Sequence, residues 1–522
     1  MNNAYNLLDE AAFSLRCGGQ LRRMTLPQVF AALSGGEVDS FEALQRYQGH
    51  PWHFFCVQVA ALALHRAGLQ APPKEAEAWR ELLLSLSGGE GAAWTLVVED
   101  LSLPAFMQPP VPEGSLAPLK NEVSHPDELD IVVAAKSHDL KREKIGGGSA
   151  ELWAYALVSG QTGQGFSGRA NYGIFRMNGG FGSRVGVGLA TGHDLGAHFR
   201  RDLKVLLEGR GEHEGSLFKA DGGVALMWVE PWDGQTSLAL SACDRWVVEV
   251  SRRLRLTQRG EEIVAMVGNS AVPRVNASEL NGVVGDPWAP INEKEGKSLT
   301  VSSNGFDYRL MCRILFSADF RWSLAMRQRP DDEAPLRIWA RVLVRGQGKT
   351  EGYHERSIAV PKKATRFLGG LGTRDAAAPL AGRVEERVQR VGHMKSKVLS
   401  PAVASALQGG PETLDRKTPG AERWLSAFDA LVDEAFFPEL WEAAELDEDA
   451  AREAWDRHLA QLAERVLREV QGELPSISPN YFRALTQSDR IFFGSLKKNF
   501  PGLSASAPEA QETPTQAQGA MS

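Results

Sequence analysis

The residues best placed to do chemistry in this chain of 522 residues lie in its densest glycine segment. Gly163, Gly165 and Gly168 match the spacing G-x-G-x-x-G, which in a dinucleotide site holds a pyrophosphate at the start of a helix. That fingerprint also needs a preceding strand, a long helix and an acidic residue about 20 positions further on. The sequence does not supply this context. Two interpretations stay open: a structural turn, or a backbone contact with a narrow surface such as a DNA minor groove.

A second motif follows an arginine-rich predicted strand. Residues 346–350 read Gly-Gln-Gly-Lys-Thr, and Gly-Lys-Thr is also the end of a nucleotide-binding P-loop. The complete P-loop needs a glycine at position 343, where this chain has Leu343. We therefore favour a polar hairpin tip, because Gln347 and Lys349 at such a tip can contact nucleic acid.

Histidine and cysteine spacings do not indicate a metal or catalytic centre. His193 and His198 are five positions apart, whereas a helical metal pair is four apart. The four cysteines are scattered and form no C-x-x-C pair, which argues against a cysteine zinc site or a disulfide framework. We expect no cofactor. Two enzymatic alternatives stay open: a hydrolase that uses residues 348–350, and a nuclease that uses His193 and Asp194.

Charge is distributed unevenly along the chain. With 58 basic and 65 acidic residues the net charge is -7, which excludes a uniformly basic nucleic-acid-binding protein. Residues 421–473 carry fifteen acids and five arginines, whereas residues 131–188 and 361–397 carry net charges of +4 and +6. Such separation lets one surface attract a polyanion while the whole chain stays acidic.

The composition predicts a folded protein without a membrane span. Hydrophobic residues make up 43% of the chain, and no apolar run approaches the roughly 18 residues of a membrane helix. The N-terminus shows no basic segment followed by an apolar one. We therefore expect no signal peptide and a cytoplasmic location.

Hydrophobic patterns predict an α+β N-terminal domain over residues 1–370, with a β-rich core and long loops. Two buried helices are predicted over residues 52–64 and 79–86. The predicted strands cover residues 127–134, 224–230, 236–243, 245–256, 261–268, 308–316 and 336–345. A charged segment, residues 136–144, precedes three glycines and predicts a mobile loop.

Near residue 372 the pattern becomes helical and predicts a C-terminal four-helix bundle over residues 371–501. Arg383, Arg387 and Arg390 recur at i, i+4 and i+7 and predict a basic stripe along one helix. Apolar stripes follow around Trp424 and Trp455. The polar tail, residues 502–522, has no apolar face, and we expect it to be disordered.

Several segments in order resemble the CasA family, the large subunits of type I-E CRISPR Cascade complexes. Two of them, AYALVSGQTGQGFSGRANYGIFRMNGGFGSR and VRGQGKTEGYHER, are similar to one large branch of that family. The resemblance extends to about Pro501. It also rests on Asn6-Leu7-Leu8, Phe106-Met107-Gln108, the strand region around Trp228 and the C-terminal bundle.

The resemblance implies a non-enzymatic DNA-recognition subunit. Such a subunit recognises a short motif, the PAM, in double-stranded DNA through the minor groove and starts strand separation, while pairing with the guide RNA identifies the target. The implied partners are the guide RNA, the target DNA, the backbone, small and handle-binding subunits of Cascade, and the helicase-nuclease effector. A membrane is not among them.

The resemblance also implies which residues carry these contacts. The candidate DNA-binding residues are Gly165, Phe166, Ser167, Gly168 and Arg169 in a glycine loop, Gln347, Gly348, Lys349 and Thr350 in a wedge hairpin, and Arg383, Arg387 and Arg390 on the bundle. The family's mobile loop near the guide RNA and the PAM is matched by Lys136, His138, Lys141, Arg142 and Lys144.

The chain also departs from the family pattern. No position among residues 257–280 matches the PAM-reading lysine, and the usual Trp-Ile-Pro-Val after the start is replaced by Ala-Ala-Phe-Ser-Leu at residues 11–15. The cysteine cluster of some relatives is absent. A structural scaffold without DNA recognition therefore stays open as a third alternative.

Overall fold

The structure is a computed structural model. It describes residues 4–129, 148–177, 182–211, 217–332, 335–346, 349–367, 378–415 and 417–504. The chain separates into two compact units, Met1–Ala377 and Ala378–Ser522. The architecture is α+β, as the sequence predicted. The predicted domain boundary at residue 370, the charged loop with Lys136, His138, Lys141, Arg142 and Lys144, and residues 505–522 of the predicted tail lie outside the described residues.

The first unit combines helices with several small sheets. Its helices are α1 (Leu26–Gly35), α2 (Gly49–Ala67), α3 (Ala76–Leu86), α4 (Pro126–Leu129), α5 (Ala150–Gly163), α6 (Leu195–Glu208) and α7 (Tyr308–Phe316). Its strands are β1 (Phe13–Cys17), β2 (Gln20–Met24), β3 (Val38–Phe41), β4 (Asn121–Val123), β5 (Gly186–Thr191), β6 (Val224–Leu226), β7 (Cys243–Val248), β8 (Arg253–Arg259), β9 (Glu262–Gly268), β10 (Ile291–Asn292), β11 (Lys297–Ser298), β12 (Phe320–Arg321), β13 (Leu336–Gly346) and β14 (Lys349–Val360).

Helix α2 lies at the centre of the core of this unit. Fourteen of its 19 residues are buried, because apolar side chains project on nearly every side. The helix packs against α3, α5, α6 and β7, and the ring of Trp52 meets that of Tyr155 edge-on at 4.9 Å. Gly68 ends α2 in the left-handed conformation, with φ 68°, which glycine adopts without a Cβ clash. The predicted buried helix is confirmed.

One sheet carries the predicted hairpin. Its strand order is β14-β13-β5, and β13 pairs antiparallel with both neighbours. The pairing of β13 with β5 runs from Leu336 opposite Thr191 to Arg341 opposite Gly186. Beyond that point β13 and β14 continue together as a hairpin to Gly346 and Lys349.

Three predicted strands are absent or nearly so, and two more are only partly right: residues 224–230 hold the short β6, and residues 245–256 are interrupted between β7 and β8. Residues 308–316 form helix α7, whose N-cap Asp307 accepts a hydrogen bond from the Leu310 amide at 2.8 Å. Its buried Tyr308, Met311, Cys312 and Leu315 have the i, i+3, i+4, i+7 spacing of a helix. Residues 236–243 hold only a short 3₁₀ turn, Leu240–Ala242, before β7. In residues 127–134 the described part belongs to α4.

The second unit consists of four long helical stretches, which confirms the predicted bundle. The first contains α8 (Ala378–His393), a π-helical segment (Met394–Leu399) and α9 (Ser400–Leu407). The others are α10 (Ala421–Glu442), α11 (Glu448–Gly472) and α12 (Tyr481–Asn499). Their apolar stripes meet in the core, where Phe428, Val432, Trp455 and Leu459 are fully buried.

Candidate functional site

The glycine loop, residues 165–169, is held at its base by backbone hydrogen bonds. It follows the end of α5, and the Gly165 amide donates to the Gly182 carbonyl at 3.1 Å. Two residues after Gly182, the Arg184 amide donates to the Gly163 carbonyl at 2.8 Å. The Ile174 amide closes the other side by donating to the Gln164 carbonyl at 3.0 Å. These bonds fix where the loop leaves the core.

The tip of the glycine loop is open. The Ser167 amide donates to the Asn171 carbonyl, and the Asn171 amide donates to the Gly168 carbonyl, each at 3.0 Å. Gly168 has φ +128°, and a Cβ built there would have no atom within 4 Å. Phe166 is half-buried and Arg169 is exposed. A surface that approaches Gly168 therefore meets backbone, with the exposed Arg169 next to it.

A second glycine lies against the backbone of the loop. A Cβ on Gly173 would lie 2.4 Å from the Gly165 carbonyl carbon and 2.5 Å from the Phe166 nitrogen. Beside this contact is a cavity of about 270 Å³. Residues of the loop and of the segment 273–278 line the cavity, among them Phe166, Tyr172 and Val275. The loop therefore lies directly on the backbone of a neighbouring segment.

An arginine that sequence analysis missed braces the loop from below. Nη2 of Arg252 donates to the Gly165 carbonyl at 3.0 Å and to Oγ of Ser167 at 3.1 Å. Burial, and secondly the charge of Arg345, lower the pKa of Arg252 to about 10. The sequence signal for Arg252 is the alternation of side chains in the extended segment after β7. Arg253 points to Glu113, with 3.2 Å between its Nη2 and Oε1, so Arg252 points to the opposite side.

The hairpin of β13 and β14 extends beyond the part of β13 that pairs with β5. That pairing ends at Arg341 opposite Gly186, and Gly186 lies four residues after Gly182 in the chain. Gly182 is the residue that accepts the Gly165 amide. At the base of the hairpin tip, Arg345 pairs with Thr350 next to a bulge. Gln347, Gly348 and the side chain of Lys349 lie outside the described residues.

Two buried ion pairs anchor the segment that follows the loop. Nη1 of Arg176 lies 2.9 Å from Oε1 of Glu249, and the other carboxylate oxygen accepts the Phe175 amide at 3.0 Å. Nε of Arg184 donates to Asp286 at 2.6 Å. All four charged side chains are at most 3% exposed. The two anchors therefore fix the chain before and after Gly182, whose carbonyl bonds the loop.

The predicted basic stripe of α8 packs inside the bundle, so its interpretation as an exposed DNA-facing surface is corrected. Arg387 is 5% exposed, and its guanidinium lies 4.9 Å from the ring centre of Trp455. Arg390 forms an ion pair with the buried Asp456 of α11. Nη1 of Arg383 donates to the Ala444 carbonyl at 3.4 Å. The spacing correctly predicted one face, but that face meets α11.

We expect Arg387→Ala to destabilise the bundle. The change removes a buried cation–π contact, which is worth roughly 2 kcal/mol when desolvated. Denaturant unfolding of the full chain should show this loss in the transition of the second unit. The matched control is Arg465→Ala on α11, a side chain 63% exposed, for which the change should stay below about 0.5 kcal/mol. Equal effects of the two variants would contradict a structural role for Arg387.

The residues proposed for a nuclease are used elsewhere. Asp194 caps α6 by accepting the Gly196 amide at 2.8 Å, and Nδ1 of His193 contacts the guanidinium of Arg337. Asp194 therefore stabilises the start of α6, and His193 contacts β13.

One buried cluster has a set of donors that could bind a metal. Nε2 of His53 lies 2.9 Å from Asp202, and His198 is close to the same carboxylate, with the three ligand atoms within 4.8 Å. The two imidazole rings stack at 4.0 Å with an angle of 23°, so their lone pairs lie in nearly parallel planes that do not converge on one ion. Asp202 also accepts Nε1 of Trp288 at 2.7 Å. Burial, and then the charge of His53, lower the pKa of His198 to about 4. We interpret the cluster as a packed core network.

Within the described part of the chain, no helix combines the length and the hydropathy that crossing a lipid bilayer requires.

Solved structures with this fold include three at low sequence identity. CasA of Thermus thermophilus is 16% identical with a TM-score of 0.64, and the match covers 95% of this chain and 100% of that one. Cse1 of Thermobifida fusca is 14% identical with a TM-score of 0.65, covering 96% and 98%. Cse1 of Acidimicrobium ferrooxidans is 14% identical with a TM-score of 0.61, covering 95% and 99%. No family model and no curated protein matched the chain.

The chain therefore has the CasA (Cse1) fold over nearly its whole length. This confirms, at the level of the fold, the resemblance inferred from the sequence. The fold alone does not determine the function, because one fold can host different functions.

Proposed function

We propose that this chain is the large subunit of a type I-E Cascade-like RNA-guided complex. In this role it recognises the PAM of double-stranded DNA through the minor groove, starts strand separation for R-loop formation and recruits the helicase-nuclease. One observation carries the proposal: the tip of the glycine loop is open at Gly168, where a Cβ would have no atom within 4 Å.

The geometry suits two successive contacts with a duplex. A minor groove is about 6 Å wide and admits backbone more readily than bulky side chains. The tip at Gly168 presents such backbone, with exposed Arg169 beside it for a phosphate. The hairpin, with Gln347 and Lys349 at its end, then acts as a wedge between the strands. Guide-RNA pairing supplies the rest of the sequence recognition.

The other assignments follow from the same role. The N-terminal domain, residues 1–370, carries PAM recognition, and Lys136, His138, Lys141, Arg142 and Lys144 face the guide RNA or the PAM. The bundle, residues 371–501, contacts the small subunits. The subunit is not an enzyme, binds no cofactor and works in the cytoplasm with the backbone and handle-binding subunits.

Alanine at both Gln347 and Lys349 should slow strand opening about tenfold while initial duplex binding changes less than twofold. The glycine loop would still contact the duplex, but the altered hairpin would no longer separate its strands. Stopped-flow fluorescence of a base analogue next to the PAM measures opening, and anisotropy of the same duplex measures binding. Equal losses in the two measurements would contradict the wedge.

The assembly has its own test. The tagged full chain, expressed with its neighbouring genes, should bring down a guide RNA and several copies of a backbone protein. ATP turnover by the purified chain that Lys349→Ala abolishes would instead indicate a nucleotide hydrolase. A complex that assembles but binds all duplexes alike would indicate a scaffold.

A further inference from the structure

On the basis of the proposed function, we propose that Arg252 is a positioning residue: it holds the glycine loop in its DNA-contacting conformation against backbone strain at Ala170. The loop then has its binding shape before a duplex arrives. Ordering a mobile loop during binding costs affinity, and a loop that is ordered beforehand avoids this cost. The proposal thus adds to PAM recognition a residue that acts through the loop rather than on the DNA.

Ala170 has a backbone conformation that L-residues rarely adopt. Its φ is +67°, in the left-handed region where a Cβ comes too close to the next carbonyl oxygen. Gly168, two residues earlier, also has a positive φ, but a glycine has no Cβ and adopts it without strain. A strained residue persists only where the surrounding structure fixes it. Contacts from outside the loop must therefore hold Ala170 in place.

Two hydrogen bonds hold the chain at Ala170 and after it. The Ser270 amide donates to the Ala170 carbonyl at 3.2 Å. The Tyr172 hydroxyl donates to the Ala271 carbonyl at 2.9 Å. Both partners lie just after β9 in the chain. The segment that follows β9 therefore supports the C-terminal side of the loop.

Arg252, just before β8, holds the N-terminal side of the loop with one nitrogen. Its Nη2 donates to the Gly165 carbonyl at 3.0 Å and to Oγ of Ser167 at 3.1 Å, so it joins the residues on both sides of Phe166. Hydrogen bonds from a charged donor are roughly twice as strong as those between neutral groups. Arg252 is also half-buried, which reduces competition from water. One side chain thus links the base of the loop to its tip.

The backbone of Arg252 is itself fixed by a buried glutamine of α5. The side-chain oxygen of Gln161 accepts the Ser251 and Arg252 amides at 2.9 and 2.8 Å. Its Nε2 donates to the carbonyls of Arg252 and Met107, each at 3.0 Å. The amide group thereby uses both of its donors and both acceptor positions. Because α5 also leads into the glycine loop, Arg252 and the loop share one anchor.

Hydrogen exchange of the full chain without DNA tests this positioning directly. The Ser167 and Asn171 amides are bonded within the loop, so their exchange rates report how often the loop opens. Arg252→Gln should raise these rates about tenfold. Arg252→Lys keeps a charged donor and should raise them only about threefold. Ala170→Gly removes the strain and should slow exchange about threefold, both in wild type and in Arg252→Gln.

A matched arginine elsewhere serves as the control. Nη2 of Arg66 also donates to a backbone carbonyl, that of Gly223, at 2.8 Å, and Arg66→Gln should leave exchange in the glycine loop unchanged. Unchanged exchange in Arg252→Gln, or faster exchange in Ala170→Gly, would overturn the positioning role. Equal acceleration by Arg66→Gln and Arg252→Gln would also overturn it, because the effect would then be a general loss of stability.

Binding to a pool of duplexes with randomised PAM positions connects the loop to the proposed function. Arg252→Gln should bind the duplexes that wild type enriches about fivefold to tenfold more weakly, and adding Ala170→Gly should restore about threefold of this loss. If the loop opens in Arg252→Gln while duplex binding stays at the wild-type level, the positioning role is wrong and the proposed function stands. If wild type enriches no duplex, the proposed function fails, and the exchange rates alone decide whether Arg252 holds the loop.

Discussion

Replacing Asp286 with alanine should lower the free energy of unfolding of the first unit by about 3–5 kcal/mol, the usual cost of removing one partner of a buried ion pair. Asp286 accepts Nε of Arg184 at 2.6 Å and the Trp288 amide at 2.9 Å. Its loss leaves Arg184, a cation that is 2% exposed, without its ion-pair partner. Denaturant unfolding of the full chain, followed by tryptophan fluorescence, measures the change.

Two variants separate burial from charge in this effect. Asp286→Asn keeps a hydrogen-bond acceptor and should retain part of the lost stability. Glu122→Ala breaks the exposed pair with Arg259 and should cost less than about 1 kcal/mol. If Glu122→Ala proved as costly as Asp286→Ala, the anchoring role of the buried pair would be refuted. Because Arg184 bonds the Gly163 carbonyl through its backbone, Asp286→Ala should also weaken DNA binding.

Gly173→Ala should reduce the affinity for PAM-containing duplex by about tenfold or more. The new Cβ would lie 2.4 Å from a backbone atom of Gly165, and backbone cannot rotate away as a flexible side chain can. The glycine loop must therefore shift, at a cost of roughly 1–3 kcal/mol in stability. Tenfold in affinity corresponds to about 1.4 kcal/mol, close to one lost backbone hydrogen bond to the DNA. Fluorescence anisotropy at fixed salt measures the affinity.

Gly163→Ala is the matched control, because Gly163 ends α5 just before the glycine loop. A Cβ there would meet only Pro51, at an ordinary 3.8 Å. Affinity within twofold of wild type is expected. Wild-type affinity in Gly173→Ala, with the fold intact by circular dichroism, would show that the position of the glycine loop does not determine DNA binding.

Some of these features could be predicted from short stretches of sequence. Residues 52–64 predicted a buried helix because their side chains are apolar on all sides, and α2 has this character. The alternation in residues 336–345 predicted β13. The same approach failed for residues 308–316, a nine-residue segment that is apolar except for Arg309 and Arg313 and that packs against the core as a helix.

The basic stripe shows a different limit. Arg383, Arg387 and Arg390 do share one face of α8, as their spacing predicted. The sequence analysis assigned this face to DNA binding, yet Asp456 and Trp455 of α11 contact Arg390 and Arg387. A one-dimensional pattern gives the direction of side chains but carries no information about which helix lies opposite.

By itself the sequence determined the α+β class, the helical C-terminal part and the existence of a glycine segment and a polar hairpin, since each depends on residues within about one turn or one strand of each other. The tertiary structure alone decided that Gly173 supports Gly165, that Arg184 meets Asp286 and that Arg252 donates to the Gly165 carbonyl. These pairs are separated by 8 to 102 positions. Their meeting depends on strand register and core packing, to which residues from the whole unit contribute.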